Sequence, residues 1–142
     1  MKTIQYFTII TFCFLSINTT KAQNKNHSIQ INISNIKSAE GTIIIGLYNN
    51  EKDFYGTTYR SAKIKSKKGA LKVTLKDIPS GTYAISLFHD ENDNAKLDTY
   101  FFKIPKEPYG TSNNAKGNFG PPSWEDAKFS VLNTIVIQDI KF

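Results

Sequence analysis

The stretch "HDENDNAKLD", residues 89–98, carries the residue types best suited to chemistry in this chain. Counting from Asp90, oxygen-bearing side chains stand at positions one, three and five, which are Asp90, Asn92 and Asn94. Lys96 at position seven can offer its backbone carbonyl, and Asp98 stands at position nine. Calcium loops supply oxygen ligands at this spacing, because a tight turn directs every second side chain toward one cation. The spacing therefore predicts a Ca²⁺ site formed by these five residues.

Two positions depart from the pattern of such loops. Position six is Ala95, where these loops use Gly for a left-handed turn, and alanine in that conformation costs about 1 kcal/mol or more. Position twelve is Phe101, so a further acid would have to come from elsewhere, such as Glu107, Glu125 or Asp126. The alternative to a metal site is a solvated polar turn, because Asn and Asp favour turns for reasons of their own.

The sequence offers little for catalysis. His27 and His89 are the two histidines, and histidine is the side chain that titrates near neutral pH. The chain lacks the G-x-S-x-G, HExxH, P-loop and G-x-G-x-x-G motifs. His89 adjoins Asp90, but successive residues of a strand point to opposite faces. We therefore predict a noncatalytic protein, with a hydrolase that uses carboxylates near His89 as the alternative. Zinc is disfavoured, because His89 is the one nitrogen ligand near the loop.

A second candidate site lies in the stretch from residue 103 to residue 126, "KIPKEPYGTSNNAKGNFGPPSWED", which has no periodicity. A connection of this length in a compact domain is usually functional or disordered, and its aromatic residues argue against disorder. Aromatic rings stack on sugars or apolar side chains, and amides hydrogen-bond polar edges. The predicted ligand is a carbohydrate or protein of the cell envelope or outside the cell. The alternative is that the aromatic residues pack inward and fix the loop. The ligand-binding candidates are Tyr109, Asn113, Asn114, Phe119 and Trp124.

A third candidate is a set of lysines in "AKIKSKKGALKVTLKDI", which reads as a β-hairpin turning at Lys68-Gly69. Their alternation with apolar residues predicts one solvent-facing patch that binds an anionic surface or polysaccharide. The alternative is that they keep an exposed strand soluble and block edge-to-edge pairing. The lysines in question are Lys63, Lys65, Lys67, Lys72 and Lys76.

The elements that must position these candidates are predicted to be strands. "SIQINISNI" places Ile29, Ile31 and Ile33 on one face, which is the period of a half-buried strand. "GTIIIGLYN", "IPSGTYAISLFHD" and one or two segments of "KFSVLNTIVIQDIKF" are further strands, and no segment of helical length shows a 3.6-residue period. Short strands separated by turn residues predict an all-β sandwich or barrel.

The first 22 residues have the order of a secretory signal: Lys2, an apolar run, then Thr20 and Ala22 before the cleavage point. The run is too short to span a bilayer comfortably. We therefore predict an exported protein, periplasmic or extracellular, whose mature chain is one domain of residues 23–142 with no transmembrane segment. Cys13 leaves with the signal, and the mature chain keeps 16 basic and 12 acidic residues, a net charge of +4. No aromatic residues are interleaved with the lysines as in nucleic-acid modules, so no nucleic-acid partner is predicted.

Two long blocks, "GTYAISLFHDENDNAKLD" and "EPYGTSNN" followed by "FGPPSWEDA", resemble the bacterial DUF2141 family of exported proteins over roughly residues 28–142. That family usually has Gly at the position of Ala95. The "GTY" strand also looks like a strand of transthyretin-like and Cna-B-like sandwiches, in which a similar D-x-N-x-N loop often binds calcium. The resemblance implies an immunoglobulin-like β-sandwich of about seven strands in the cell envelope or outside the cell. It implies no activity.

Overall fold

A computed structural model describes residues 26–132 and 134–142, so the signal peptide predicted for residues 1–22 lies outside the described residues. Short β-strands make up most of the regular structure. The strands are β1 (His27–Ile36), β2 (Thr42–Tyr48), β3 (Arg60–Lys65), β4 (Gly69–Ile78), β5 (Gly81–Asp90), β6 (Tyr109–Thr111), β7 (Phe129–Val131) and β8 (Ile135–Lys141). Two 3₁₀ turns, Phe101–Lys103 and Ser112–Asn114, and the single-turn helix α1 (Trp124–Ala127) complete the described elements.

The alternation predicted for the first strand is confirmed. Ile29, Ile31 and Ile33 of β1 are fully buried, while the residues between them face outward. Fully burying a side chain of this size contributes about 1.5–3 kcal/mol relative to leaving it exposed. The period-two pattern therefore fixes which face of β1 enters the core, since a slip of one residue would expose all three isoleucines.

The strands form two sheets that enclose the core, so the all-β sandwich is confirmed. One sheet has the order β4-β1-β8, with β1 antiparallel to β4 and parallel to β8. The other has the order β3-β2-β5-β6, and β7 pairs with the first residues of β5. The main core draws on both sheets, including Ile31 of β1, Ile45 of β2 and Ile85 of β5. The immunoglobulin-like subtype stays a prediction.

The predicted lysine hairpin is wrong. β3 pairs with β2 and β4 pairs with β1, so the turn at Lys68-Gly69 carries the chain from one sheet to the other. Ile64 of β3 and Val73 of β4 both pack on the core from their own sheets. The lysines that alternate with them are all exposed, but they lie on two sheets instead of one hairpin face. These are Lys63 and Lys65 on β3, Lys67 in the turn, and Lys72 and Lys76 on β4.

β5 leads into the candidate site, and both of its faces are covered. Ile85 and Leu87 enter the main core, while Ala84 on the opposite face packs in a smaller cluster with Tyr48 and Trp124. The strand is thus anchored on both sides up to its last residues. It delivers His89 and Asp90 to one end of the sandwich, where the acidic loop begins.

The smaller cluster also holds the connection between β2 and β3. The ring of Phe54 lies edge-on to Tyr48 and to Trp124, with centroids 5.3 and 5.6 Å apart. Tyr55 donates a hydrogen bond of 3.1 Å to the carbonyl of Pro122. Partial burial, with a smaller contribution from Tyr48, raises the pKa of Tyr55 above its usual range. This cluster fixes the far end of the long loop to the body of the protein.

Candidate functional site

The candidate site is a protrusion that leaves the sandwich at the end of β5 and returns to it at β6. The chain departs after Asp90 and comes back beside the same strand, where the amide of His89 donates to the carbonyl of Pro108 at 2.8 Å. β6 then pairs with residues 86–88 of β5. The segment from residue 91 to residue 107 therefore stands on a base of paired strands, which holds its two ends together.

Asp90 organises the first half of the acidic loop, defined as residues 90–98. Its side chain is only 2% exposed, and its two carboxylate oxygens accept hydrogen bonds from the amides of Asn94 at 3.0 Å and Ala95 at 2.7 Å. Burying a carboxylate is costly unless hydrogen bonds replace its water. The two backbone amides supply those hydrogen bonds, so the Asp90 carboxylate holds the backbone at Asn94 and Ala95 close to the end of β5.

The asparagines of the loop form tight turns through their own side chains. Oδ1 of Asn92 accepts from the amide of Asn94 at 3.1 Å, and Oδ1 of Asn94 accepts from the amide of Lys96 at 2.8 Å. Between them, Asp93 and Ala95 have positive φ angles of 56° and 62°. Ala95 thus adopts the left-handed conformation that glycine provides in calcium loops, despite the strain this imposes on alanine.

Glu107 joins the two ends of the loop from the returning limb of the protrusion. It is 6% exposed, and its two oxygens accept from the amide of Glu91 at 3.0 Å and the amide of Asp98 at 2.9 Å. Of the acids named as replacements for position twelve, Glu107 is the one brought to the loop. Glu125 pairs instead with Lys128 at 2.6 Å, and Asp126 accepts from Ser123 at 2.6 Å.

Asp98 closes the loop through the two asparagine amides. Its carboxylate accepts from Nδ2 of Asn92 at 2.7 Å and from Nδ2 of Asn94 at 3.1 Å. All four oxygen-bearing side chains predicted from the spacing therefore belong to one hydrogen-bonded ring. The described residues contain no group of three or more His, Cys, Asp or Glu side chains already arranged around a metal position.

The donor chemistry of this ring suits a hard cation. Carboxylate and amide oxygens are the ligands that Ca²⁺ prefers, and the ring contains no sulfur or imidazole. Residues 90–98 carry four acids and one lysine, a net charge of −3, to which Glu107 adds another negative charge. Lys65, whose Nζ lies 3.8 Å from Asp93 Oδ2, is an exposed partner from β3. Exposed pairs of this kind contribute little, so most of the charge is left for another cation to offset.

His89 lies next to the acidic loop but inside the end of the core. Its ring is fully buried, stacked on Phe142 at 6.2 Å between centroids, and Nε2 is 2.7 Å from the carbonyl oxygen of Glu40. Nδ1 lies 3.8 Å from Glu91 Oε1 and has no hydrogen-bond partner among the described residues. The ring therefore belongs to the end of the core and makes no hydrogen bond to Asp90.

One of the five ligand-binding candidates of the long loop is buried, and the other four are exposed. Trp124 is buried in the smaller cluster, as the packing alternative expects. Nδ2 of the Asn113 side chain donates to the backbone carbonyls of Asp126 and Lys128, both at 3.0 Å. Asn114 likewise donates to the Asp139 carbonyl at 2.8 Å and accepts from the Lys141 amide at 2.8 Å, so both asparagines hold neighbouring backbone in place.

Tyr109 and Phe119 remain exposed. Tyr109 lines an open groove of about 500 Å³, together with Lys116 and the C-terminal Phe142. Of the five candidates, Tyr109 and Asn114 line this groove, Asn113 and Phe119 are exposed outside its lining, and Trp124 is buried, so the five do not form one continuous surface. The segment also contains regular structure that its sequence does not predict, namely β6 and the turn Ser112–Asn114.

The sequence reasoning missed the end of the protrusion, which we call the aromatic tip and define as residues 100–104. The tip is a tight hairpin closed by hydrogen bonds from the Tyr100 amide to the Ile104 carbonyl, 2.7 Å, and from the Lys106 amide to the Asp98 carbonyl, 2.8 Å. Phe101 is 90% exposed and Phe102 is 96% exposed. The signal was present in "TYFFKIP", a nearly continuous apolar run with no alternation that directly follows the acidic loop.

Comparison with known proteins gives one positive result. A family model described as "Uncharacterized protein conserved in bacteria (DUF2141)" matches residues 31–138, which run from within β1 to within β8 and include the whole protrusion. No curated protein and no solved structure matches the chain significantly. Within the described residues, no helix has both the length and the apolar character needed to span a bilayer. The match covers most of the sequence and both blocks that carry the resemblance, so the chain belongs to the DUF2141 family of uncharacterised bacterial proteins.

Proposed function

We propose that this protein is an exported, noncatalytic β-sandwich module of the bacterial cell envelope, and that its acidic loop binds calcium. The observation that carries the proposal is the convergence of five oxygen-bearing side chains on one loop. Two of them, Asp90 and Glu107, are buried and fix its backbone, while Asn92, Asn94 and Asp98 lie on its exposed side. The hydrogen bonds order the loop before an ion binds, and its side chains offer the oxygen ligands that calcium prefers.

Calcium would be held by Asp90, Asn92, Asn94 and Asp98 together with the backbone carbonyl of Lys96. Glu107 would act mainly by ordering the loop, since it accepts hydrogen bonds from the amides of Glu91 and Asp98 and so joins the two ends of the loop. The ion would supply positive charge where residues 90–98 and Glu107 together carry −4. Its role is therefore structural: it stabilises the protrusion and lowers the repulsion among its acids.

The position of His89 supports a noncatalytic role. A general base has to come within hydrogen-bonding reach of the proton it removes. His89 is fully buried against Phe142, and its Nε2 already contacts the carbonyl oxygen of Glu40. The groove lined by Tyr109 and Asn114 is the region we propose for contact with a carbohydrate or protein of the envelope.

The proposal is tested by thermal unfolding of the purified protein in excess EDTA, in millimolar calcium and in millimolar magnesium. A ligand that binds only the folded state adds about 2.7 kcal/mol at one hundred times its Kd. For a chain of this length that increment raises Tm by several degrees. We expect a calcium-specific rise for the wild type.

The matched variants are Asp98→Asn in the loop and Asp77→Asn at the end of β4, which make the same chemical change at two exposed or partly exposed sites. Asp98→Asn lowers stability even in EDTA because it alters the hydrogen bonds to Asn92 and Asn94. The quantity compared between variants is therefore the calcium-dependent increment, which is the rise in Tm from EDTA to calcium. We expect Asp98→Asn to lose that increment and Asp77→Asn to keep it. Absence of any calcium-specific rise in the wild type, or an equal rise in both variants, would show that the loop is not the site.

A further inference from the structure

The aromatic tip carries apolar side chains on a projection from the sandwich, where they do not contribute to the core. Phe101 and Phe102 are almost fully exposed, and Tyr100 and Ile104 beside them are also exposed. Large apolar side chains grouped at a surface mark a site of interaction with a protein or a membrane. The tip is thus a candidate interaction site distinct from the acidic loop.

The backbone of the tip has two consecutive residues with positive φ angles, in the segment where the phenylalanines are exposed. Phe102 and Lys103 are consecutive residues with φ angles of 63° and 58°. A positive φ is uncommon for a bulky residue, and such strain persists where the surrounding structure enforces it, often at functional sites. The bridge between Thr99 and Pro105 and the two hydrogen bonds below the tip hold this conformation.

Cationic and amphipathic side chains surround the apolar group. Lys103 lies within the tip, and Nζ of Lys106 stands 5.0 Å from the centre of the Tyr100 ring. Tyrosine is enriched at membrane–water interfaces, and lysine extends its charge to the headgroups while its aliphatic stem stays with apolar surface. The composition of the tip, with apolar residues at the end and Tyr and Lys at the margin, matches the depth profile of a lipid interface.

The size of the apolar group argues against a stable protein partner at the tip alone. Phenylalanine buries about 150–250 Å² when fully covered, so Phe101 and Phe102 together supply roughly half of the 800 Å² per partner of a standard interface. Tyr100 and Ile104 are already partly covered and supply only part of the remainder. A bilayer has no such minimum, since each inserted side chain contributes by itself. We propose that the aromatic tip inserts into the interface of an anionic lipid bilayer and anchors this protein reversibly to a membrane surface. The inference does not depend on the calcium proposal.

The test is sedimentation of the full chain with vesicles of phosphatidylcholine and phosphatidylglycerol in EDTA. The wild type is compared with the double variant Phe101→Ser, Phe102→Ser and with Phe119→Ser, which removes another fully exposed phenylalanine outside the tip. Any contribution of the N-terminal residues is common to all three proteins. We expect Phe119→Ser to bind as the wild type does and the double variant to bind at least about tenfold more weakly.

A local reporter separates the tip from every other contact. In Phe102→Trp, emission should shift to the blue and be quenched by brominated lipids, whereas the same substitution at Phe119 should show neither change. Equal binding of wild type and double variant, or no quenching at position 102, would overturn the proposal. Concentration-dependent self-association that the double variant abolishes, without vesicle binding, would show instead that the tip meets a second copy of the chain.

Discussion

Ala95 is the residue whose conformation most affects the candidate loop. Its φ of 62° places an exposed alanine in the left-handed region, where an L side chain costs about 1–2 kcal/mol relative to the right-handed form. Glycine avoids that cost but loses about 0.5–1 kcal/mol more conformational freedom on folding. We therefore expect Ala95→Gly to raise the free energy of unfolding by about 0.5–1 kcal/mol, measured by urea denaturation in EDTA.

The control for this prediction is Ala70→Gly, at an exposed position of β4 that does not have a positive φ. There glycine brings only its entropic cost, so stability should fall by about 0.5–1 kcal/mol. Opposite signs at the two positions would confirm that the loop conformation, and not alanine in general, is strained. A loss of stability at both positions would contradict the left-handed geometry of Ala95.

At the scale of single residues, the sequence predicted the parts of the site that follow from spacing. Asp90, Asn92, Asn94 and Asp98 are joined as their alternation predicts, because a tight turn is a local structure. Glu107 is different, since it reaches the loop only after the chain has passed through the aromatic tip and returned. No local period specifies where a returning limb crosses, so Glu107 could be named only as one of three acids.

At the scale of elements, the buried face of a strand follows from its local sequence pattern, whereas its pairing partner does not. The burial of Ile29, Ile31 and Ile33 follows from alternation within β1, and it was predicted correctly. The hairpin of β3 and β4 was wrong because a turn at Gly69, with φ of 101°, serves equally to reverse a strand in one sheet or to cross between two. Which of these occurs is decided by burial against β1 and β2, which lie far away in the sequence.

The turn between β1 and β2 bears directly on the site. Gly41 has a φ of 71°, and a Cβ added there would overlap the carbonyl oxygen of Asp90 and the Cα of Glu91. Gly69 also has a positive φ, but a Cβ added there would meet open space. Both alanine variants bear conformational strain, and only Gly41→Ala adds overpacking, which costs about 1–3 kcal/mol more.

Chemical denaturation of the two variants measures this difference, and Gly69→Ala serves as the matched control. We expect Gly41→Ala to be the less stable of the two by that amount and to reduce any calcium-dependent increment, because it displaces the start of the acidic loop. Equal losses would mean that the β1–β2 turn does not constrain the end of β5.

At the scale of the whole molecule, the two candidate sites share one protrusion. The limb that leaves the acidic loop at Asp98 runs directly into the aromatic tip, and the Asp98 carbonyl accepts from Lys106 on the other limb. Residues 90–107 carry five acids and three lysines, a net charge of −2. The tip therefore approaches an anionic bilayer with basic side chains at its end and an acidic loop at its base.

This arrangement predicts that calcium strengthens membrane binding if both proposals hold. Each unit charge near an anionic surface is worth about 1 kcal/mol, so neutralising the acidic loop should raise the affinity for phosphatidylglycerol vesicles several-fold. The effect on pure phosphatidylcholine should be much smaller, because that surface carries no net charge. Vesicle sedimentation in EDTA, calcium and magnesium measures both effects.

Two variants separate the contributions. Asp98→Asn should keep the binding that depends on Phe101 and Phe102 but lose the gain from calcium. The double variant of those phenylalanines should bind weakly with or without the ion, because the side chains that insert into the bilayer are gone. Calcium that merely bridges acids to lipid headgroups would, in contrast, act without an inserted tip. A calcium gain of equal size in the wild type and the double variant would attribute the effect to such bridging and refute the coupling between loop and tip.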